Sequence, residues 1–209
     1  MSMTGTEIEQ FFSILQRNDP SPRCELNYTN PYTLIVAIVL SAQSTDKGVN
    51  KATGPLFEIA DTPQKMLDLG EERLKKYIST IGLYNNKAAN IIRLSRTLVD
   101  EFGGQIPNDR DKLETLRGVG RKSANVWLNE VYGAPLIAVD THVFRVSHRT
   151  GMSIGKNPAR VEADLEKLIP ERFKRHASHW LVLLGRYICT AKKPQCPTCP
   201  VSPLCPKLF

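Results

Sequence analysis

Apolar positions recur at helical spacing along most of this chain. Ile8, Phe11, Phe12, Ile14 and Leu15 form one such set, and Thr6 with Glu9 offers a capping box ahead of it. Asn30-Pro31 supplies an N-cap and a first-turn proline for the run from Leu34 to Leu40, which is apolar on every side. A segment of that kind belongs inside the protein. Its valines and isoleucines also suit a buried strand, but no turn signal follows Leu40, and helix is the better reading. Thr62-Pro63 starts a short helix ending near Gly70, residues 71–78 form another, and 85–102 make a long amphipathic helix stopped by Gly103-Gly104. Further helices are expected over 121–132, 141–149, 157–168 and 172 to about 188. No alternating strand pattern emerges. The fold class is all-α.

The stretch from Leu113 to Trp127 organises the rest. A helix over about 109–116 meets Gly118-Val119-Gly120, and a second helix begins near Arg121 with Ala124, Val126, Trp127 and Leu128 available for its buried side. Glycine alone takes positive φ without steric cost, so a sharp turn is expected here. The free amides at the start of the second helix suit an anion such as a backbone phosphate, and Lys122 lies beside them in the first turn. Taken alone, the Gly-x-Gly-x-Lys string also describes a plain helical corner with an exposed lysine. The same layout echoes upstream, where Lys87-Ala-Ala-Asn-Ile91 matches Lys122-Ser-Ala-Asn-Val126 within the wider pair 78–91 and 113–126. Packing habit explains that echo as well as duplicated function does.

Length and charge narrow the picture. The 209 residues suffice for one large domain or two small ones. Two lobes are expected: a central helical lobe over 25–133, and a second made of 1–24 plus 134–209. Lys122 and Asp140 would then face each other across a cleft. Lys plus Arg is 28 against 21 for Asp plus Glu, a net charge of +7 that suits a polyanionic partner. No run approaches the ~18 apolar residues of a membrane span, and no export signal stands at the N-terminus. An intracellular, cytoplasmic protein without a membrane partner is the expectation.

Four of the five cysteines close the chain as Cys189-x6-Cys196-x2-Cys199-x5-Cys205. Prolines 194, 197, 200, 203 and 206 interleave with them and exclude a regular helix. Four thiolates in so short a loop must wrap one small object, and in a reducing compartment a metal centre is favoured over disulfides. A four-iron cluster and a tetrahedral zinc both accept four cysteines; the single C-x2-C knuckle leans toward iron–sulfur and leaves zinc open. Lys192, Lys193 and Lys207 flank the loop, either as phosphate contacts or as a solvated charged surface. Cys24 stands apart as a free thiol, and His142 and His148 read as structural.

These motifs resemble the endonuclease III family, helix-hairpin-helix DNA glycosylases with an iron–sulfur loop. The resemblance runs from about residue 25 to 205. It is carried by Leu40-Ser-Ala-Gln-Ser-Thr-Asp46, Ile81-Gly-Leu-Tyr-Asn85, Leu116-Arg-Gly-Val-Gly-Arg-Lys122, Ala138-Val-Asp-Thr-His-Val-Phe-Arg145 and the cysteine spacing. It implies a two-lobed glycosylase fold and a [4Fe-4S] cluster on Cys189, Cys196, Cys199 and Cys205, within a loop over 189–205. It also implies bifunctional glycosylase/AP lyase action in base excision repair, on oxidised pyrimidines such as thymine glycol in double-stranded DNA. The catalytic pair falls on Lys122 and Asp140. Gln43 matches the residue that fills the gap left by an extruded base, and Leu83 the wedge into the opposite strand. Gly118, Gly120, Arg121 and Lys193 would hold phosphate. Ser44 and Ser123 replace the more usual Ala and Thr, and the chain stops soon after Cys205; neither departure touches the chemistry.

The chemistry itself is intelligible from the residue types. A base inside a duplex must be everted, and something must take its place in the stack. Lys122 must be a neutral amine to attack C1′ of the sugar, and a helix N-terminus and a desolvated cleft both disfavour the ammonium form. Asp140 can stabilise positive charge on the sugar, or cap the helix that starts at Thr141, or do both. The monofunctional, adenine-removing relatives lack a lysine at position 122 and carry an extra C-terminal domain. A non-catalytic DNA-binding module is the alternative from another class. One lesion needs no more than a monomer.

Overall fold

The computed structural model describes residues 3–209, and every regular element among them is helical. In chain order they are α1 (Gly5–Asn18), α2 (Pro31–Ser41), α3 (Asp46–Ile59), α4 (Pro63–Leu69), α5 (Glu71–Ile78), α6 (Tyr84–Phe102), α7 (Arg110–Thr115), α8 (Arg121–Tyr132), α9 (Thr141–Arg149), α10 (Pro158–Leu168) and α11 (Glu171–Leu183). A π-helical turn, Leu184–Ile188, and two short 3-10 turns follow. None of the described helices is long and apolar enough to cross a membrane. Contacts gather the chain into two compact units, Cys24–Tyr132 on the one hand and the residues up to Arg23 with Gly133–Phe209 on the other.

The unit Cys24–Tyr132 is built on α2, whose residues from Tyr32 to Leu40 are all buried. Its N-terminus carries a capping box: the Asn30 side chain accepts from the Thr33 N–H, and the Thr33 hydroxyl accepts from the Asn30 N–H. Helices α3, α6 and α8 pack on it, and α4 and α5 pack on α6. Trp127 of α8 is 1% exposed and donates its indole N–H to Pro31 O at 2.8 Å, which ties α8 to the start of α2. The buried side of α8 is Ala124, Asn125, Trp127, Leu128 and Asn129; Val126, expected there, is only half-buried.

One helix escaped the sequence patterns. α3 carries Gly48, Gly54 and Pro55, residues that punctuate helices more often than they continue them. It forms nonetheless because Thr45 caps it, accepting from Gly48 N–H, and because Val49, Ala52, Leu56 and Phe57 all find the core. Burial of Val49, Leu56 and Phe57 contributes roughly 1.5–3 kcal/mol each, which offsets what the local breakers cost.

The other unit packs α1 on α11 and α9 on both α10 and α11. Its core is aromatic at the centre: Phe12 stacks on Phe173 with centroids 5.7 Å apart, and Trp180 lies 6.3 Å from each. The Trp180 indole donates to Asp19 O at the end of α1. The capping box of α1 is not Thr6 with Glu9 but Thr4 with Glu7. The two motifs overlap in the sequence, and the earlier one wins because it sets Met3 just before the cap, where it and Ile8 both enter the core. The last helix also departs from expectation. Regular α-helix ends at Leu183, and the backbone then widens so that Cys189 N–H reaches back to Leu184 O. The Gly185 and Cys189 carbonyls in this turn are taken by the Arg145 guanidinium, at 2.7 and 3.0 Å.

Candidate functional site

The glycine corner has the predicted form. Leu113, Leu116 and Val119 are buried beneath it, and Val119 N–H closes a four-residue turn on Leu116 O at 3.0 Å. Gly118 has φ +87°, and a Cβ there would stand 3.2 Å from Val39 Cγ1 and 3.3 Å from Asn90 Cβ. Both its backbone and its packing demand glycine. Gly120 is different. It lies outside the left-handed region, nothing stands within 4 Å of where its Cβ would be, and its carbonyl starts α8 by accepting from Ala124 N–H. Neither conformation nor packing within the chain requires a glycine at that place. What the absent side chain leaves is clear access to the first amides of α8.

Arg121 and Lys122 stand in that first turn, and both are exposed. The desolvation expected at Lys122 is therefore not supplied by its own unit. Burial raises the Cys24 thiol to about 11, so it stays protonated at neutral pH; Lys122 is among the charges it senses.

Two other predicted residues share a feature that the sequence does not announce. Gln43 has φ +55° and Leu83 φ +60°, left-handed conformations that non-glycine side chains rarely adopt. Ser44 N–H bonds Ser41 O, and Ala42 at φ −54°, ψ 118° completes a type II turn with Gln43 at the position that favours glycine. Leu83 heads α6 without a side-chain cap and is 58% exposed. The turn and the corner adjoin, since a Cβ on Gly82 would lie 3.9 Å from Gln43 O. Beneath them Lys87, which sequence reasoning met only as part of an echo, is 5% exposed and donates to Leu40 O and Ser44 Oγ, each at 2.9 Å. Burial lowers its pKa from the ordinary lysine value. The echo itself is structural: Ile81 N–H bonds Ile78 O as Leu116 N–H bonds Leu113 O, and Leu83 and Gly118 are both left-handed.

In the other unit Asp140 is the N-cap of α9. One carboxylate oxygen, Oδ1, accepts from both His142 N–H and Val143 N–H at 2.8 Å, and the side chain is half-buried. Nδ1 of His148 lies 2.8 Å from Phe144 O, and Nδ1 of His142 lies 3.2 Å from the Arg145 guanidinium.

The cysteine loop is fastened to the far end of the same helix. Arg149 donates to Thr190 O at 2.7 Å and Ala191 O at 2.9 Å and approaches Cys189 Sγ at 3.5 Å. Its own carbonyl accepts from Leu208 N–H, so one residue holds both ends of the loop. Cys189, Cys196, Cys199 and Cys205 line a common cavity with apolar walls that include Val146, Leu184 and Val201. Burial, opposed in part by backbone bonds and reinforced by the neighbouring thiols, raises the Cys199 and Cys205 pKa values. Among the described residues no three His, Cys, Asp or Glu side chains converge to hold a single metal ion. Lys193 is exposed on the loop, and its carbonyl accepts from Thr190 Oγ1 and Gln195 Nε2.

Residues 36–171 match the HhH-GPD superfamily base excision DNA repair protein family. Endonuclease III of Haemophilus influenzae is 51% identical over 203 residues, 97% of this chain and 96% of that protein. The Escherichia coli enzyme of the same name is 53% identical over 191 residues, 91% of this chain and 90% of its own length. Among solved structures, a trapped endonuclease III–DNA covalent intermediate with an estranged adenine has a TM-score of 0.92 at 44% identity, covering 98% of this chain and 97% of that one. A thermostable thymine-DNA glycosylase, 24% identical over 97% of this chain and 96% of its own, shares the fold at a TM-score of 0.86. The chain belongs to the endonuclease III family within the HhH-GPD superfamily of base excision DNA repair proteins, and is an enzyme of the DNA glycosylase/AP lyase type.

Proposed function

We propose that this chain removes oxidised pyrimidines of the thymine glycol type from duplex DNA and then cleaves 3′ to the abasic site through a Schiff base on Lys122. The observation that carries the reading is an exposed lysine in the first turn of α8, next to a glycine whose missing side chain opens that turn to the outside. A phosphate seated on the α8 amides brings the neighbouring sugar to the Lys122 amine. The arriving nucleotide, rather than the chain itself, takes water away from that amine. Lys122 Nζ forms a bond to C1′ as the bond from C1′ to the base breaks, and the base leaves with a proton. Ring opening gives the iminium. Loss of a C2′ proton then breaks the C3′–O bond, releasing the 3′ phosphate, and water returns the free lysine. The Asp140 carboxylate stabilises positive charge on the sugar while Oδ1 serves the cap.

Gln43 fills the stack vacated by the base and Leu83 wedges the opposite strand; exposure and left-handed backbones at both positions support these roles. Gly118, Gly120 and Arg121 at the corner, and Lys193 on the cysteine loop, contact phosphate. The protein acts as a monomer on damaged double-stranded DNA.

The four cysteines hold a [4Fe-4S] cluster in this reading. Cys189, Cys196, Cys199 and Cys205 line one cavity with apolar walls, and four thiolates of that kind would suit such a cluster. Bound there, it supplies a rigid core for the loop that presents Lys193.

Borohydride reduction in the presence of a thymine glycol duplex tests the chemistry. A covalent protein–DNA adduct is expected for the wild type and none for Lys122→Ala; an undiminished adduct in the variant refutes the assignment. Iron with acid-labile sulfide in the purified protein supports the cluster, and stoichiometric zinc overturns it.

A further inference from the structure

We infer that Lys87 is a positioning residue for base eversion: its buried amine fixes the Gln43 turn against the Leu83 corner so that both side chains meet the duplex in register. This rests on the roles proposed above for Gln43 and Leu83.

A left-handed backbone strains an L residue, and here two such residues, both exposed, lie on adjoining loops. Neither loop has a glycine or asparagine at the strained position to relieve it. Something in the surroundings must hold them. Lys87 is bonded to both, to one through its backbone and to the other through its side chain. Its backbone N–H donates to Leu83 O at 3.0 Å, one turn into α6, so it moves with the corner. Its Nζ reaches across to Leu40 O and Ser44 Oγ, which bracket Gln43 on either side. Leu40 O is also one of the last carbonyls of α2, which a cationic donor suits.

The residue type strengthens the case. Burying an amine is costly, and the partners of this one are a carbonyl and a hydroxyl rather than a carboxylate. A methionine of similar length would fill the space without that cost. The lowered pKa is the sign of the burden carried. Lys87 and Lys122 stand at equivalent places in the two corners, yet the first is buried under its loop and the second is exposed beyond it.

Lys87→Met in the full-length, cluster-bearing protein tests the idea. Three readouts are compared with wild type: kcat/KM on a thymine glycol duplex, fluorescence of 2-aminopurine placed opposite the lesion, and borohydride trapping on a single-stranded abasic oligonucleotide. A single strand has no opposite base to replace and no second strand to wedge. The expected result is a fall in duplex kcat/KM of about 10²-fold, mostly in kcat, as for a small misplacement of reacting groups. The fluorescence rise is lost, and single-strand trapping stays at the wild-type rate. Lys87→Arg, which keeps donors for both oxygens, retains the duplex rate and the fluorescence. Lys87→Gln takes the place of the methionine variant if that one does not fold. Wild-type duplex activity and fluorescence in Lys87→Met overturn the inference. So does a parallel loss on duplex and single strand, which marks a merely structural lysine. Gln43→Ala and Leu83→Ala distinguish failure of the eversion roles from failure of the Lys87 role. If both leave the duplex reaction unchanged, the eversion roles fall and the positioning role with them; if they impair it and Lys87→Met does not, only Lys87 is refuted.

Discussion

Two glycines two residues apart make opposite demands, and replacing each by alanine separates folding from DNA binding. At Gly118, with φ +87°, an alanine meets the left-handed penalty of roughly 1–2 kcal/mol. Its Cβ must also push back Val39 Cγ1 at 3.2 Å and Asn90 Cβ at 3.3 Å, atoms of α2 and α6, by a few tenths of an ångström. A loss of about 2 kcal/mol is expected, or about 4–8 °C in melting temperature for a chain of this size. At Gly120 the backbone suits alanine and the space is empty. The substitution there is neutral or stabilises by up to about 1 kcal/mol through the unfolded chain. Its methyl group nevertheless stands in the path of a phosphate approaching the α8 amides, and about tenfold weaker binding, 1.4 kcal/mol, is expected. Thermal melts and fluorescence anisotropy with an abasic-analogue duplex, at one fixed salt concentration, read both quantities. Gly120→Ala that binds like wild type refutes the corner as a phosphate grip. Gly118→Ala that melts like wild type refutes the strain argument.

Thr4→Ala removes the observed cap of α1 and should cost about 1 kcal/mol, whereas Thr6→Ala should cost under about 0.5 kcal/mol; equal melting temperatures for the two would move the cap back to Thr6. Arg149→Ala gives up two charged hydrogen bonds to the start of the cysteine loop, a loss of about 3 kcal/mol in holding it closed. Iron content per chain should fall and the remaining chromophore should bleach faster in air; wild-type values for both would show that the cysteines alone close the loop.

How much of this was written in the sequence depends on where the information lies. Caps and prolines are local, so Asn30-Pro31, Thr62-Pro63 and Asn157-Pro158 mark the starts of α2, α4 and α10 where the structure has them. The glycine corner is equally local, and its two glycines predict the turn. α3 was hidden because Gly48, Gly54 and Pro55 are read as punctuation, and only the core beneath Leu56 and Phe57 overrides them. The left-handed backbones at Gln43 and Leu83 could not be read at all. Nothing in those residue types asks for positive φ; it is imposed by contacts between segments some 40 residues apart in the chain, with Lys87 reaching back 47 residues to Leu40. The family resemblance marked Gln43 and Leu83 as functional, but the way they are held became visible only in three dimensions.

Asp140 is the residue on which local structure and proposed chemistry are hardest to separate, because the carboxylate that caps α9 is also the one proposed to face the sugar. Its Oδ1 takes the His142 and Val143 amides, and the cap is worth about 1 kcal/mol. Asparagine caps helices as well as aspartate does and keeps that oxygen. Asp140→Asn should therefore melt within about 0.5 kcal/mol of wild type, while losing the negative charge. If the charge stabilises the developing cation on the sugar, single-turnover base release should slow by about 10²–10³-fold, the range seen when one preorganised electrostatic contact is removed. Asp140→Ala loses both and should be the less stable of the pair. Base release under saturating enzyme, so that binding does not limit it, gives the decisive comparison. An asparagine variant that releases base at the wild-type rate reduces Asp140 to a cap. One that melts as low as the alanine variant shows instead that the cap needs the charge, and its slow rate could then no longer be assigned to the sugar.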